Sequence, residues 1–165
     1  MIKGILFALA ITLTGTASAA ENENTHSVSP TLISELNTWL DTRTEFAKRA
    51  DQPKIEFVGK EQAETLRGVA DRSGGRTRGL YDAATETIYL TEPWSPENMR
   101  DISVLLHEIT HHRQAGQHWY CEQAQEWRAY QIQAQWLEEH GIEVDFYWPA
   151  ILLQSSCAKR DIHPG

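Results

Sequence analysis

Leu105-Leu106-His107-Glu108-Ile109-Thr110-His111 lies in the middle of a helical run that opens at Trp94-Ser95-Pro96 and ends near Ala115. Ser95 reads as the N-cap, Pro96 fits the first helical position, Trp94 staples onto Met99, and Gly116 is the C-terminal stop. With His107 at zero and 100° per residue, Ile102, Leu105, Leu106 and Ile109 fall at about 160–260° and His111 near 40°. The apolar arc and the histidine pair are therefore opposed, which predicts a helix with core on one side and a cleft on the other. Two imidazoles one turn apart reach a single ion, and the adjacent Glu108 leans over it. That is the donor pattern of a Zn2+ site that keeps one position open for water.

A second helical run covers Tyr120–His140 and stops at Gly141. So short a connection sends it back antiparallel to the first. His111 lies about one and a half turns before Gly116, so a third ligand belongs a similar distance into the returning helix. Glu126 fits, on a face shared with Ala129, Tyr130, Gln133 and Leu137, and the small Ala129 permits close approach. Glu122, one turn earlier on that face, and His118 in the connection are the alternatives. His112 falls near 140°, beside the apolar arc, and reads as a supporting or capping residue. Trp119, Trp127, Trp136 and Trp148 read as packing, Arg113 and Arg128 as solvated or near helix carbonyls, and Glu138-Glu139 as an exposed helix end.

Upstream, Ser29-Pro30 opens a helix reaching about Phe46, with Leu32, Ile33, Leu36, Trp39 and Leu40 as its stripe. Ile55–Val58 is a short strand, Lys60–Val69 a weak helix, and Asp71–Arg78 a Gly- and Arg-rich loop. Gly79-Leu80-Tyr81 leads through a turn at Asp82-Ala83-Ala84 into a returning strand, Glu86–Leu90, where Ile88 and Leu90 alternate with Thr87 and Tyr89. A short helix near Asp145–Ser155 precedes Cys157. The order α-β-α-β-β-α-α-α predicts a small α+β domain. In it a short antiparallel sheet or hairpin packs on the histidine helix and its antiparallel, Glu-bearing partner.

The 165 residues suffice for one domain, here 30–165. Hydrophobic residues at 41% and charged residues at 23% exclude wholesale disorder. A net charge of −8 without a basic patch argues against nucleic acid or an anionic membrane as partner. Met1–Ala20 reads as a secretory signal: Lys3, then the apolar Ile5–Leu13, then small residues at Ala17-Ser18-Ala19-Ala20. Residues 21–29 read as a polar, mobile lead-in, and nothing later is apolar enough for membrane insertion. The mature chain is thus expected to be exported, periplasmic or secreted. In an oxidising compartment its two cysteines favour a Cys121–Cys157 disulfide, worth roughly 3–4 kcal/mol in the chain-entropy account.

The HExxH segment followed by Glu126-Trp127-Arg128-Ala129 resembles the zincin metallopeptidases whose third ligand is Glu, the gluzincins, in a minimal form. Leu80-Tyr81-Asp82, Ile88-Tyr89-Leu90, Leu105–Glu108 and Ala129-Tyr130 are also similar to a group of small exported bacterial zincin-like proteins. The resemblance spans Gly79–Leu137, about a third of the chain. It implies Zn2+ on His107, His111 and Glu126, a peptide or protein substrate, and Glu108 as the base that takes a proton from the attacking water and hands it to the leaving amine. It further implies that Thr87, Ile88, Tyr89 and Leu90 form an edge strand on which extended substrate pairs. Tyr130 and His118 are the candidates for stabilising the oxyanion. The downstream His or Tyr that does so in larger relatives has no counterpart here, and the His111-to-Glu126 interval is shorter than theirs. Two rival readings are a zincin scaffold that binds metal or a partner without turnover, and a disulfide-stapled structural domain whose HExxH arose by chance.

Overall fold

In the computed structural model, which describes residues 27–67 and 78–157, the elements follow in the order expected. They are α1 (Pro30–Asp41), β1 (Lys54–Val58), α2 (Lys60–Arg67), β2 (Gly79–Asp82), β3 (Thr87–Thr91), α3 (Met99–Gln114), α4 (Ala124–Glu139) and α5 (Trp148–Ser155). The domain is α+β. The secretory segment read at 1–20, the lead-in up to residue 26 and the loop at 71–77 lie outside the described residues. No described helix is long and apolar enough to cross a membrane.

Local capping chemistry fixes most helix ends. Ser29 accepts a hydrogen bond from the Leu32 N–H at 3.1 Å, with Pro30 following it into α1. α1 ends at Asp41 rather than near Phe46, because the apolar stripe stops at Leu40 and the Thr42 N–H closes on the Trp39 and Leu40 carbonyls. α3 starts at Met99, with Asn98 and not Ser95 as its N-cap: the Asn98 side chain accepts from the Arg100 N–H at 3.0 Å. With Asn98 as the N-cap, Glu97 and Ile102 take the staple positions, so Trp94 and Met99 are out of that register. The Trp94 indole N–H donates to the Asp101 carbonyl at 2.8 Å, its ring packs on Phe57, and the Ser95 N–H donates to the Asp101 carboxylate. α4 begins at Ala124 instead of Tyr120, because residues 121–123 form a turn whose start, Cys121, is joined to Cys157. Gly141, at φ +70°, ends α4 as expected: the Ile142 N–H reaches the Leu137 carbonyl and the Gly141 N–H that of Glu138. α5 begins at Trp148, three residues later than Asp145.

The sheet order is β1-β3-β2, with β1 parallel and β2 antiparallel to β3. This overturns the reading of Thr87, Ile88, Tyr89 and Leu90 as an edge strand, because β3 is central. Its backbone bonds both ways: the Lys54 N–H to the Glu86 carbonyl and the Glu92 N–H to that of Val58 on one side, the Thr91 N–H to that of Arg78 on the other. Ile88 and Leu90 are fully buried with Leu36, Leu40, Leu105, Leu106, Ile109, Ile132 and Leu137. α3 is buried on its histidine side as well as its apolar side, because α4 covers the former.

Two charged residues make contacts with distant segments. Arg113, read as solvated or near helix carbonyls, is 2% exposed and lies against a helix carbonyl. Its guanidinium donates to Asn37 Oδ1 at 2.8 Å and to the carbonyls of Asn37 and Phe46 at 2.9 and 3.1 Å, and it pairs with Asp41 at 2.8 Å. One side chain thus ties α3 to α1 and to the turn after it. Glu139, read as part of an exposed helix end, accepts from the Trp39 indole at 2.8 Å and from Arg43 at 3.1 Å, which lowers its carboxyl pKa to about 2. Arg128 pairs with Glu45 at 3.2 Å.

Candidate metal centre

α3 presents His107 and His111 one turn apart, and the first turn of α4 brings Glu126 against them. His107 Nε2 and His111 Nε2 are 3.0 Å apart, and each is 3.3 Å from a different oxygen of Glu126. Donors held at about 2.0–2.1 Å from a tetrahedral zinc lie about 3.3 Å from one another, so this spacing fits such an ion. Of the described residues, only this trio of His, Cys, Asp or Glu side chains gathers closely enough to hold a metal. Glu122 is not part of it: α4 starts after Glu122, which lies exposed in the preceding turn. His118 is likewise exposed in the connection and stands outside the trio of metal-holding side chains.

The hydrogen bonds behind the imidazoles settle which nitrogens are free for a metal. Ser103 Oγ donates to the Arg100 carbonyl at 2.7 Å, so it accepts from Gln133 Nε2 at 3.0 Å. That turns Gln133 Oε1 toward His107 Nδ1, at 3.0 Å, and makes this nitrogen the N–H. Gln114 Nε2 donates to the Gln125 carbonyl at 3.1 Å, so its Oε1 faces His111 Nδ1 at 2.9 Å with the same consequence. Both Nε2 atoms therefore point lone pairs at one spot, which is repulsive unless a cation or a proton lies there. Gln114 and Gln133 were missed as partners of the ligands. Their positions, three residues after His111 and seven after Glu126, carried the signal. Were zinc held by the trio, Gln133→Leu would weaken its binding about 10–100-fold while the chain stays folded, as read by competition with a chromophoric chelator.

Burial alone would lower the His111 pKa, but the Glu126 hydrogen bond and the charges of Glu126 and Glu108 raise it to about 9. Glu126 is pushed the opposite way, well below the carboxylate range, because both histidines outweigh its own desolvation. Glu108 is 5% exposed, and burial raises its pKa against the opposing pull of His107 and His111. A Cβ on Gly79 would stand 2.5 Å from Glu108 Oε1 and 2.7 Å from Val104 Cγ1, so β2 backbone lies directly on the carboxylate. Gly79→Val is expected to destabilise the fold by about 1–3 kcal/mol in urea and to displace Glu108. Tyr130 packs its ring against His107, centroids 4.6 Å apart, and against Phe146, centroids 5.3 Å apart. His112 is no ligand: its Nε2–H donates to the Asp51 carbonyl at 2.9 Å and its Nδ1 accepts from the Tyr81 hydroxyl at 3.1 Å.

Residues 25–165 match the model of a family described as a domain of unknown function, DUF6647. No curated protein and no solved structure matches the chain.

Proposed function

We propose that this chain, which belongs to the DUF6647 family, is an exported zinc-dependent peptide-bond hydrolase of gluzincin type. The reading is carried by the convergence of two Nε2 atoms, oriented by their Gln partners, and the Glu126 carboxylate at tetrahedral spacing, with the buried Glu108 beside them. His107, His111 and Glu126 hold the metal, and bound zinc supplies Lewis-acid polarisation and water activation. Glu108 accepts a proton from the attacking water on its carboxylate. As the carbonyl carbon gains its new C–O bond and the C–N bond breaks, Glu108 gives that proton to the departing amine nitrogen. Gln133 and Gln114 hold the imidazoles still through the cycle.

Substrate pairing moves from β3 to β2. Among the described residues β2 pairs only with β3. The Arg78–Thr91 bond puts Gly79 and Tyr81 between ladder positions, with their N–H and C=O groups directed away from β3. An extended peptide added there runs beside Glu108. The disulfide and the secretory signal read at 1–20 support an exported site of action.

The test is cleavage of a mixed peptide library by the zinc-loaded chain, read by mass spectrometry. Products should vanish in chelator and return when zinc is restored. A zinc-bound chain that cuts nothing would favour a metal-binding module without turnover. Affinity for zinc should also depend on pH. His111 carries a proton up to about pH 9 in the metal-free chain, and zinc must displace it. Apparent affinity should therefore rise about tenfold from pH 6.5 to 7.5 and fall on acidification, as measured by competition titration.

A further inference from the structure

We propose that the Cys121–Cys157 disulfide is a positioning device for the metal centre. It holds the start of α4, and so Glu126, in the ligand set, and opening it lowers zinc affinity. The inference rests on the zinc reading above.

The N-terminus of α4 is held from outside by the Gln114 amide on the Gln125 carbonyl and by Trp148 against Trp127, but it has no side-chain cap of its own. Gln123 makes none, and the turn entering the helix rests on three backbone bonds, 3.1 Å from Ala124 to Cys121, 3.3 Å from Gln125 to Glu122 and 3.1 Å from Glu126 to Gln123. The connection from α3 is mostly exposed, Tyr120 at 83%. Trp119 anchors its beginning, with its indole N–H on the Gln114 carbonyl at 3.0 Å and its ring against Phe46. The disulfide anchors its end, five residues before Glu126. Its other half, Cys157, follows α5, which already packs on α4 through Trp148 against Trp127.

Two ligands depend on this anchor. Glu126 sits in the turn that follows it. His111 depends on it at one remove, because the Gln125 carbonyl accepts the Gln114 amide that fixes the His111 ring. Reduction by a dithiol transfers two electrons and two protons to the sulfurs, leaving Cys121 and Cys157 as thiols and the reductant as its own disulfide. The first turn of α4 is then free to fray, and Glu126 is lost from the set for part of the time.

The experiment measures zinc affinity by chelator competition on the full oxidised chain, the dithiol-reduced chain and the Cys121→Ser/Cys157→Ser variant, with helix content followed by circular dichroism. Leu36→Ala serves as a variant weakened in the α1 core, far along the chain from this turn. Zinc affinity should fall about 10–100-fold in the reduced and serine forms and stay near the wild-type value in the folded fraction of Leu36→Ala. Hydrogen exchange on the zinc-free chains should quicken over residues 121–129 while the α3 core stays protected. A folded serine variant with wild-type zinc affinity overturns the proposal, as does faster exchange spread evenly over every helix. Failure of the oxidised wild type to bind zinc at all overturns the zinc reading instead.

Discussion

Glu108→Gln leaves zinc bound and lowers kcat/KM on any cleaved peptide by about 10²–10⁴-fold. Gln keeps the shape that packs, beside Val104, beneath Gly79, so the site is not reshaped. It removes the carboxylate to which the proposed reaction assigns the proton transfer. Glu108 lies outside the trio of metal-holding side chains, so metal content should match the wild type. Rates compared at equal zinc occupancy decide the matter. Loss of turnover with zinc retained assigns the proton transfer to Glu108, and full turnover in the variant would remove it from the mechanism.

Arg113→Ala destabilises the fold by about 3–5 kcal/mol, the cost of removing one partner from a buried charged network. The guanidinium is the shared donor for Asn37 Oδ1 and for the carbonyls of Asn37 and Phe46, and its loss leaves these acceptors without it and opens a cavity between α1 and α3. Arg113→Lys recovers little, since a single ammonium cannot reach three acceptors with the planar fork. Urea unfolding at neutral pH checks both variants. A loss below about 1 kcal/mol for Arg113→Ala would mean that the network relaxes around the gap.

What was legible in the sequence was local. Ser29-Pro30, Gly141 and the alternation through Ile88 and Leu90 announce their caps and strand because the deciding contacts lie within a few residues. Glu126 was readable for a related reason: a short connection fixes the direction of α4, and helix geometry does the rest. The errors arise where a distant segment decides. Nothing within Thr87–Leu90 says that β1, from much earlier in the chain, occupies its second edge. Nothing near Arg113 says that Asn37 and Phe46 wait for its charge. Ser95 and Asn98 both carry cap chemistry, and Asp101 decides between them by taking the Ser95 N–H. Gly79 did carry a usable signal, since a glycine within a strand marks close approach of another group, here the Glu108 carboxylate.

The central claim is the metal, and elemental mass spectrometry of the untagged, oxidised chain tests it most directly, beside His107→Ala and Glu126→Ala. The account predicts about one zinc per wild-type chain after equilibration at neutral pH, and little in either variant under the same wash. A folded wild-type chain that retains no zinc after that equilibration, or variants that retain as much as it does, would contradict it.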